Sequence, residues 1–501
     1  MPRTKIIIIG LDGASWDVLS PLISNGKLPA FEALMKRGAY GTLISPPPCR
    51  SATGIATFYT GKNSCKWGLF DFPSFEPDVI SYEKVRKNNK SFWDILGENG
   101  CKSAILNLPG TFPPSPVRGV MISGFAISED QDYTYPKDFK EKVKGFHSDR
   151  EVFLKLIAGT IRLGRTKEKS KELLDFYIKN VKRRYGLIKD VIKGDEFDFS
   201  MFWIDESDAV CHEAWGNEEF LLYFFKEIDD ILSDIAENNP DSNIIIMSDH
   251  GFGPSPTHEF FPKTWLKKEG YLKRKGNRLS QWLVQKMNTL VIERPYPYRY
   301  WQLERIYFLY NKIKKWTKRT SALKKQNWRV ARGGRPESRA IGIDWSKTAA
   351  TNQDFWGIRI IRENLKRDYE DLRDEIIKKM LDLSDESGKI IKSVWKREEV
   401  FSGLDIQKFP DIVYLPASRF EPTGFLPFCV TKKKMRAPSF PGDHLTANKA
   451  VFIAAGPNIN RFGRIEDVNM ADIAPTILEQ FKVAVPQDMD GRVIKEIIKS
   501  P

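Results

Sequence analysis

Unbroken apolar runs alternate along this chain with stretches that are apolar at every third or fourth position. Lys5–Ile9 (KIIII) reads as a strand buried on both faces, and Gly10, Asp12 and Gly13 as the turn that ends it. Trp16–Leu22 and residues 30–37 read as helices, followed by a strand from Ala39 (AYGTLIS). Ser91–Glu98 is patterned as a helix and Lys102–Leu108 as a strand. Residues 196–203 (EFDFSMFW) read as a strand, Glu218–Asn238 as a long amphipathic helix, and Ser242–Ser248 as another buried strand. Beyond 341 come a helix over Tyr369–Leu381, strands in FPDIVYLP and AVFIAAGP, and a helix over residues 470–483. Such alternation predicts an α/β fold with doubly wound layers around a mainly parallel sheet. Chemistry in these folds gathers at the carboxyl ends of the strands, where Asp12 and Asp249 fall.

Two stretches break the pattern. Residues 136–195 are charged and helix-patterned with few turn signals, which predicts a helical insertion. Residues 271–340 hold 19 Lys or Arg against 3 Glu and no Asp, interleaved with Trp282, Tyr300, Trp316 and other aromatics. Three readings of this segment stay open: a solvated helical insertion, a lid that recruits an anionic substrate, or a patch that meets an anionic membrane surface. The catalytic core is then expected in residues 1–135, 196–270 and 341–501. No dedicated nucleic-acid module is recognisable.

Composition narrows the class. The 501 residues are 41% hydrophobic and 29% charged, with a net charge of +14, so the expected small-molecule partner is an anionic phosphate ester. The five cysteines are widely spaced and form no CxxC pair, which suits a reducing compartment better than a disulfide scaffold. The first apolar run is short and meets Gly and Asp, so it reads as a strand rather than a signal peptide. No run reaches the ~18 apolar residues of a transmembrane helix. The expected location is cytoplasmic, with a peripheral membrane site as the variant. Oligomeric state is not legible.

Candidate chemistry rests on few residues. The chain has only 5 His, and three lie near an Asp. Asp249-His250 follows the run NIIIMS; Asp208 and His212 are four apart, on one face of a helix; His444 closes FPGDH. Imidazole nitrogen and carboxylate oxygen are ligands for zinc-type ions, and manganese suits the same set. Two such ions can clamp the attacking and leaving oxygens of an in-line displacement. Ser51 in PPPCRSATGIATFYTGKN is the candidate nucleophile, opening a helix that ends near Thr60-Gly61; Thr53 is the competing hydroxyl. The free amides of that helix start would face a phosphate, and Arg50 is the candidate substrate-binding cation. His147 and His258 read as surface residues, with a supporting role near the site as the alternative for His258.

These motifs, in this order, resemble the alkaline phosphatase superfamily, and within it the type I phosphodiesterase/nucleotide pyrophosphatase branch and its prokaryotic phosphohydrolase and phosphomutase relatives. The matching features are GLDG after the first strand, Ser51 ten residues before Gly61, Asp208-x-x-x-His212, Ser248-Asp249-His250-Gly251, Gly442-x-His444 and the closing DIAPTILEQFKVAVPQDMDGR. The resemblance implies a three-layer α/β/α core with helical insertions. It further implies one divalent ion on Asp12, Ser51, Asp249 and His250, another on Asp208, His212 and His444, and a phospho-enzyme on Ser51. Phosphodiester hydrolysis is the activity it implies; phosphotransfer or a mutase reaction, with a lipid-linked substrate among the candidates, is the alternative. Two positions depart from the family pattern. Gly54 stands where an Asn that contacts the phosphate is expected, and Trp67 stands where relatives often have His. Cys49 lacks the x-Pro-Ser-Arg that a sulfatase would need.

Overall fold

The computed structural model describes residues 4–276 apart from 48, 68–88, 125–126 and 149–165. It also describes 282, 285–286 and 343–499 apart from 354–355, 404–405, 425, 435–439 and 445. Almost all of the basic segment 271–340 lies outside the described residues, and so do the lid and membrane-patch readings attached to it.

A ten-stranded sheet organises the chain. Its central strand is β1 (Ile6–Leu11), flanked in parallel by β5 (Phe199–Ile204) and β6 (Asn243–Met247). Beyond β5 lie β3 (Ser103–Pro109) and β4 (Gly119–Gly124), also parallel, and then Thr134–Tyr135, antiparallel. Beyond β6 lies β11 (Lys449–Ala455), antiparallel to both β6 and β2 (Ala39–Ile44), so β2 runs the same way as β1. The short strands Gly463–Arg464 and Val468–Asn469 pair with β2.

Period-two alternation explains the layers. Ile7 and Ile9 enter one core with α1 (Trp16–Ser24), α2 (Pro29–Arg37), α5 (Lys167–Lys193), α6 (Glu206–Ala214) and α7 (Glu218–Asn238). Ile6 and Ile8 enter the other with α3 (Ser51–Thr60), α4 (Phe92–Glu98) and α9 (Ile473–Gln480). Both faces of β1 are therefore covered, which is why KIIII is apolar without a break. Helix α5 begins at a Thr166 cap and buries Leu174, Val181 and Ile188 in the same core as Ile7. His147, expected at the surface, is instead 4% exposed. Its Nε2 faces the Ser123 carbonyl at 2.9 Å and its ring meets Tyr133 edge-on at 4.8 Å. The charged residues around it conceal this inward turn.

The strands predicted after residue 341 divide between two sheets. AVFIAAGP supplies β11 of the central sheet. FPDIVYLP supplies β10 (Ile412–Pro416) of a separate four-stranded sheet, in order β7 (Ala350–Gln353), β8 (Gly357–Ile360), β10, β9 (Ile391–Lys396), with antiparallel pairings. Helix α8 (Tyr369–Leu381) covers one face of this sheet through Leu372, Ile376 and Met380.

Candidate functional site

The carboxyl ends of β1, β5 and β6 deliver the acidic residues to one rim of the sheet. Asp12 follows β1, Asp208 sits in the first turn of α6 after β5, and Asp249-His250 follow β6. Strand β2 ends at the same rim, and a short loop carries its chain to Ser51, the first residue of α3. Because β11 runs the other way, His444 just ahead of it arrives at that rim too. Gly61 closes α3 in a left-handed conformation at φ 65°, as the Thr-Gly pair predicts.

The seven predicted residues come together. Ser51 Oγ lies 3.4 Å from Asp12 Oδ1 and 3.2 Å from His250 Nε2. His250 Nε2 is 3.5 Å from both Asp12 Oδ1 and Asp249 Oδ2. His212 Nε2 and His444 Nε2 approach the two oxygens of Asp208 at 3.6 and 3.9 Å. The His250 and His444 rings stack at 4.1 Å. Two sets of ligand-type atoms lie close together: Asp208, His212 and His444, and Asp12, Asp208 and His250. Asp208 belongs to both, where the resemblance had assigned it to one.

All three imidazoles are oriented the same way. Each turns Nδ1 to a backbone carbonyl: His212 to Gly442 at 2.8 Å, His250 to Gly251 at 3.0 Å and His444 to Cys49 at 3.3 Å. A carbonyl only accepts, so Nδ1 holds the proton and a neutral ring presents the bare Nε2 lone pair to the carboxylates. Acceptors then face acceptors. Buried Asp208 Oδ1 and Asp249 Oδ2 have no hydrogen-bond partner. Burial, reinforced by Asp249 and Asp208, pushes the Asp12 carboxyl well above the usual range, and burial raises Asp249 likewise. Burial together with His250, His212 and Arg50 pushes His444 well below the usual imidazole range, which keeps it neutral. Cations between these groups would relieve every one of these conflicts, so the residues fit divalent metal ions.

The other candidates sort themselves. Thr53 Oγ1 donates to the Arg50 carbonyl at 3.0 Å, which leaves Ser51 as the hydroxyl facing the cluster. Arg50, 7% exposed, caps α3, and its charge acts on His444. His258 stays out of the cluster; its Nδ1 meets Thr257 Oγ1 at 2.9 Å and its ring lies against Phe420. Gly54 has a local cause, since a Cβ there would meet the Asp249 carbonyl oxygen at 2.7 Å. An Asn at that position would collide with the strand end that carries the ligands.

Three contributors escape a motif search. Trp203 Nε1 donates to Asp12 Oδ2 at 3.1 Å, and Ser207 Oγ donates to the Asp12 carbonyl at 2.7 Å. The Trp203 ring fits only because its partner in register is Gly10, where a Cβ would lie 1.9 Å from the ring. The carbonyl of Cys49 is the third, and a carbonyl carries no sequence signal. The Gly10–Trp203 pairing was recoverable from aligning KIIIIG with EFDFSMFW as neighbouring parallel strands.

Among solved structures, human ectonucleotide pyrophosphatase / phosphodiesterase 5 superposes with a TM-score of 0.51 at 13% identity, over 99% of this chain and 100% of that one. The murine protein of the same name gives 0.47 at 13% identity, over 96% of each chain. At this identity the likeness concerns the fold. No curated protein matches the chain. The sequence pattern of the type I phosphodiesterase / nucleotide pyrophosphatase family matches residues 6–424, which carry every site residue named above except His444. The chain belongs to that family and is an enzyme of the phosphodiesterase type.

Proposed function

We propose that the protein is a two-metal phosphohydrolase that cleaves phosphodiesters or nucleotide pyrophosphate bonds through a covalent phosphate on Ser51. The observation that carries this reading is the convergence of three bare Nε2 atoms and three carboxylates around the Ser51 hydroxyl. Asp12, Ser51, Asp249 and His250 would hold one ion, and Asp208, His212 and His444 the other. Bound zinc or manganese would supply Lewis-acid charge for the phosphate oxygens and lower the cost of deprotonating Ser51.

The protein's own groups do the rest. Ser51 Oγ, set beside Asp12 Oδ1 and His250 Nε2 at 3.4 and 3.2 Å, attacks phosphorus, the bond to the leaving alcohol or phosphate breaks, and the serine proton passes to solvent. The first amides of α3 have no acceptor within their own helix and point at the oxygens that gain charge. Arg50 adds a fixed cation beside them. Water then attacks the phosphoserine, which returns Ser51 and releases the phosphate product. The basic segment 271–340 would draw an anionic substrate to the rim by its field or, as the variant, hold it at an anionic membrane surface. None of the five cysteines is joined in a disulfide, which supports a reducing, cytoplasmic compartment. Among the described residues no helix is long and apolar enough to cross a membrane.

The test is turnover of bis(p-nitrophenyl) phosphate and p-nitrophenyl phosphate by purified protein after chelation and re-addition of zinc or manganese. Metal-restored cleavage that favours the diester is expected. Bound metal without cleavage of either ester would refute hydrolysis and favour the phosphotransferase or mutase alternative.

A further inference from the structure

Helix α6 carries Asp208 and His212 but does little to fix its own place. It has nine residues, and Asp205 at its N-cap makes no side-chain hydrogen bond to the helix amides. Helices that short are held by their neighbours rather than by their own turns. Two side chains reach α6 from α5, the long helix of the segment 136–195 that the sequence marks as an insertion. At the start of α6, Arg184 Nη1 lies 2.8 Å from both Asp205 Oδ1 and Glu206 Oε1. At its end, Ser170 Oγ donates to Glu213 Oε1 at 2.9 Å. Asp208 and His212 lie between these two anchors, and His212 is the direct neighbour of Glu213.

The first anchor is itself held from several sides. Arg184 is 7% exposed, its Nε donates to the Phe146 carbonyl at 3.3 Å, and its guanidinium lies over the Phe146 ring at 5.5 Å. Asn107, buried in β3 with φ 66°, donates from Nδ2 to Asp205 Oδ1 at 2.9 Å and to the Trp203 carbonyl at 2.8 Å. A left-handed backbone is costly for a residue with a side chain, and it persists only where its surroundings demand it. Stability alone does not account for this arrangement. Apolar packing of the same volume serves the fold as well as a buried ion pair or better. Metal ligands are far more exacting, because their distances to the ion hold within about 0.2 Å. A guanidinium fixed by α5 and seated on the first residues of α6 meets that demand.

We propose that Arg184 is a positioning residue that holds the start of α6 so that Asp208 and His212 stand at ion-binding distance, which makes α5 a working part of the metal site. The inference rests on the two-metal reading, and the test separates the two. Zinc affinity of the purified protein is measured by competition with a chromophoric chelator, alongside the Tm of the metal-free form. The wild type is expected to bind two zinc ions per chain. Arg184→Gln is expected to weaken one of them about 10- to 100-fold, the usual effect of losing a group that orients a ligand, and to leave the other within about threefold. Both bonds to α6 come from one nitrogen, so Arg184→Lys is expected to restore most of the lost affinity. Val181→Ala, in the apolar stripe of the same helix, is the control for stability: it should lower Tm and keep both affinities. Ser170→Ala removes one hydrogen bond at the other anchor, with a loss of about threefold expected, and it carries the test where Arg184→Gln does not fold. Unchanged zinc affinity in Arg184→Gln and Ser170→Ala, an equal loss at both ions, an equal loss in Val181→Ala, or no recovery in Arg184→Lys would overturn the proposal. A wild type that binds fewer than two zinc ions would overturn the two-metal reading and the inference with it.

Discussion

Replacing Gly54 by Ala probes how Ser51 is held. Gly54 lies in the first turn of α3, pressed against the strand end that carries Asp249; a Cβ added there would sit 2.7 Å from the Asp249 carbonyl oxygen. Both partners are backbone, so α3 must recede. Reaching the tightest tolerated contact of 3.0 Å takes a shift of about 0.3 Å, and an ordinary contact of 3.4 Å takes about 0.7 Å. Ser51 begins the same helix, and its contacts at 3.2 and 3.4 Å are already long. A shift of that size breaks both. Helix propensity favours Ala by about 1 kcal/mol, whereas overpacking costs about 1–3 kcal/mol, so the net stability change runs from about zero to a loss of about 2 kcal/mol. The effect on rate is larger, because a displacement approaching 1 Å at a reacting atom costs up to about 100-fold. Gly186→Ala in α5 is the control: it lies exposed in a helix interior with nothing within 4 Å of the added Cβ. Gly186→Ala should raise Tm and leave turnover unchanged. Gly54→Ala should cut kcat/KM for bis(p-nitrophenyl) phosphate by about 10- to 100-fold, with Tm level or lower. If Gly54→Ala keeps kcat/KM within about twofold, or raises Tm as the control does, the close approach of α3 to β6 does not position the nucleophile.

Ser51→Ala should abolish turnover, by about four orders of magnitude or more, while metal content measured by atomic emission stays the same; retained turnover would move the nucleophile to Thr53 or to water. Metal binding should strengthen as pH rises. Asp12 and Asp249 are raised above their unfolded range, so without metal the stability they contribute is fully present below about 3.8 and is lost as pH rises through their higher folded values. His444 is depressed and acts oppositely, its contribution present above about 6.5 and lost as pH falls through its folded value. Metal needs all three deprotonated at the ligand atom and so displaces protons from the two carboxyls. The rise in Tm on adding zinc should be larger at pH 8 than at pH 5.5, and an equal rise at both would contradict this account.

Much of the site was legible because its residues are set by local rotation. A strand ending in Asp12 or in Asp249-His250, a helix opened by Ser51 and closed by Gly61, and Asp208 with His212 one turn apart all follow from short-range periodicity. Such periods are properties of the backbone itself and survive without knowledge of the neighbours. Sequence alone thus determined the α/β class, the layer-forming strands, the ligand-type residues and, through their order, the family.

Tertiary structure decided the rest, because strand order and packing depend on contacts between residues far apart in the chain. FPDIVYLP and AVFIAAGP look alike as apolar runs, yet one builds a wall beside Cys49 and the other joins the central sheet. Only the folded chain sets Trp203 on Asp12 across Gly10, turns three Nδ1 atoms to carbonyls, and brings α3 so near Asp249 that Gly54 must lack a side chain. Backbone carbonyls and close approaches have no residue type of their own, so no reading of residue types finds them before the chain has folded.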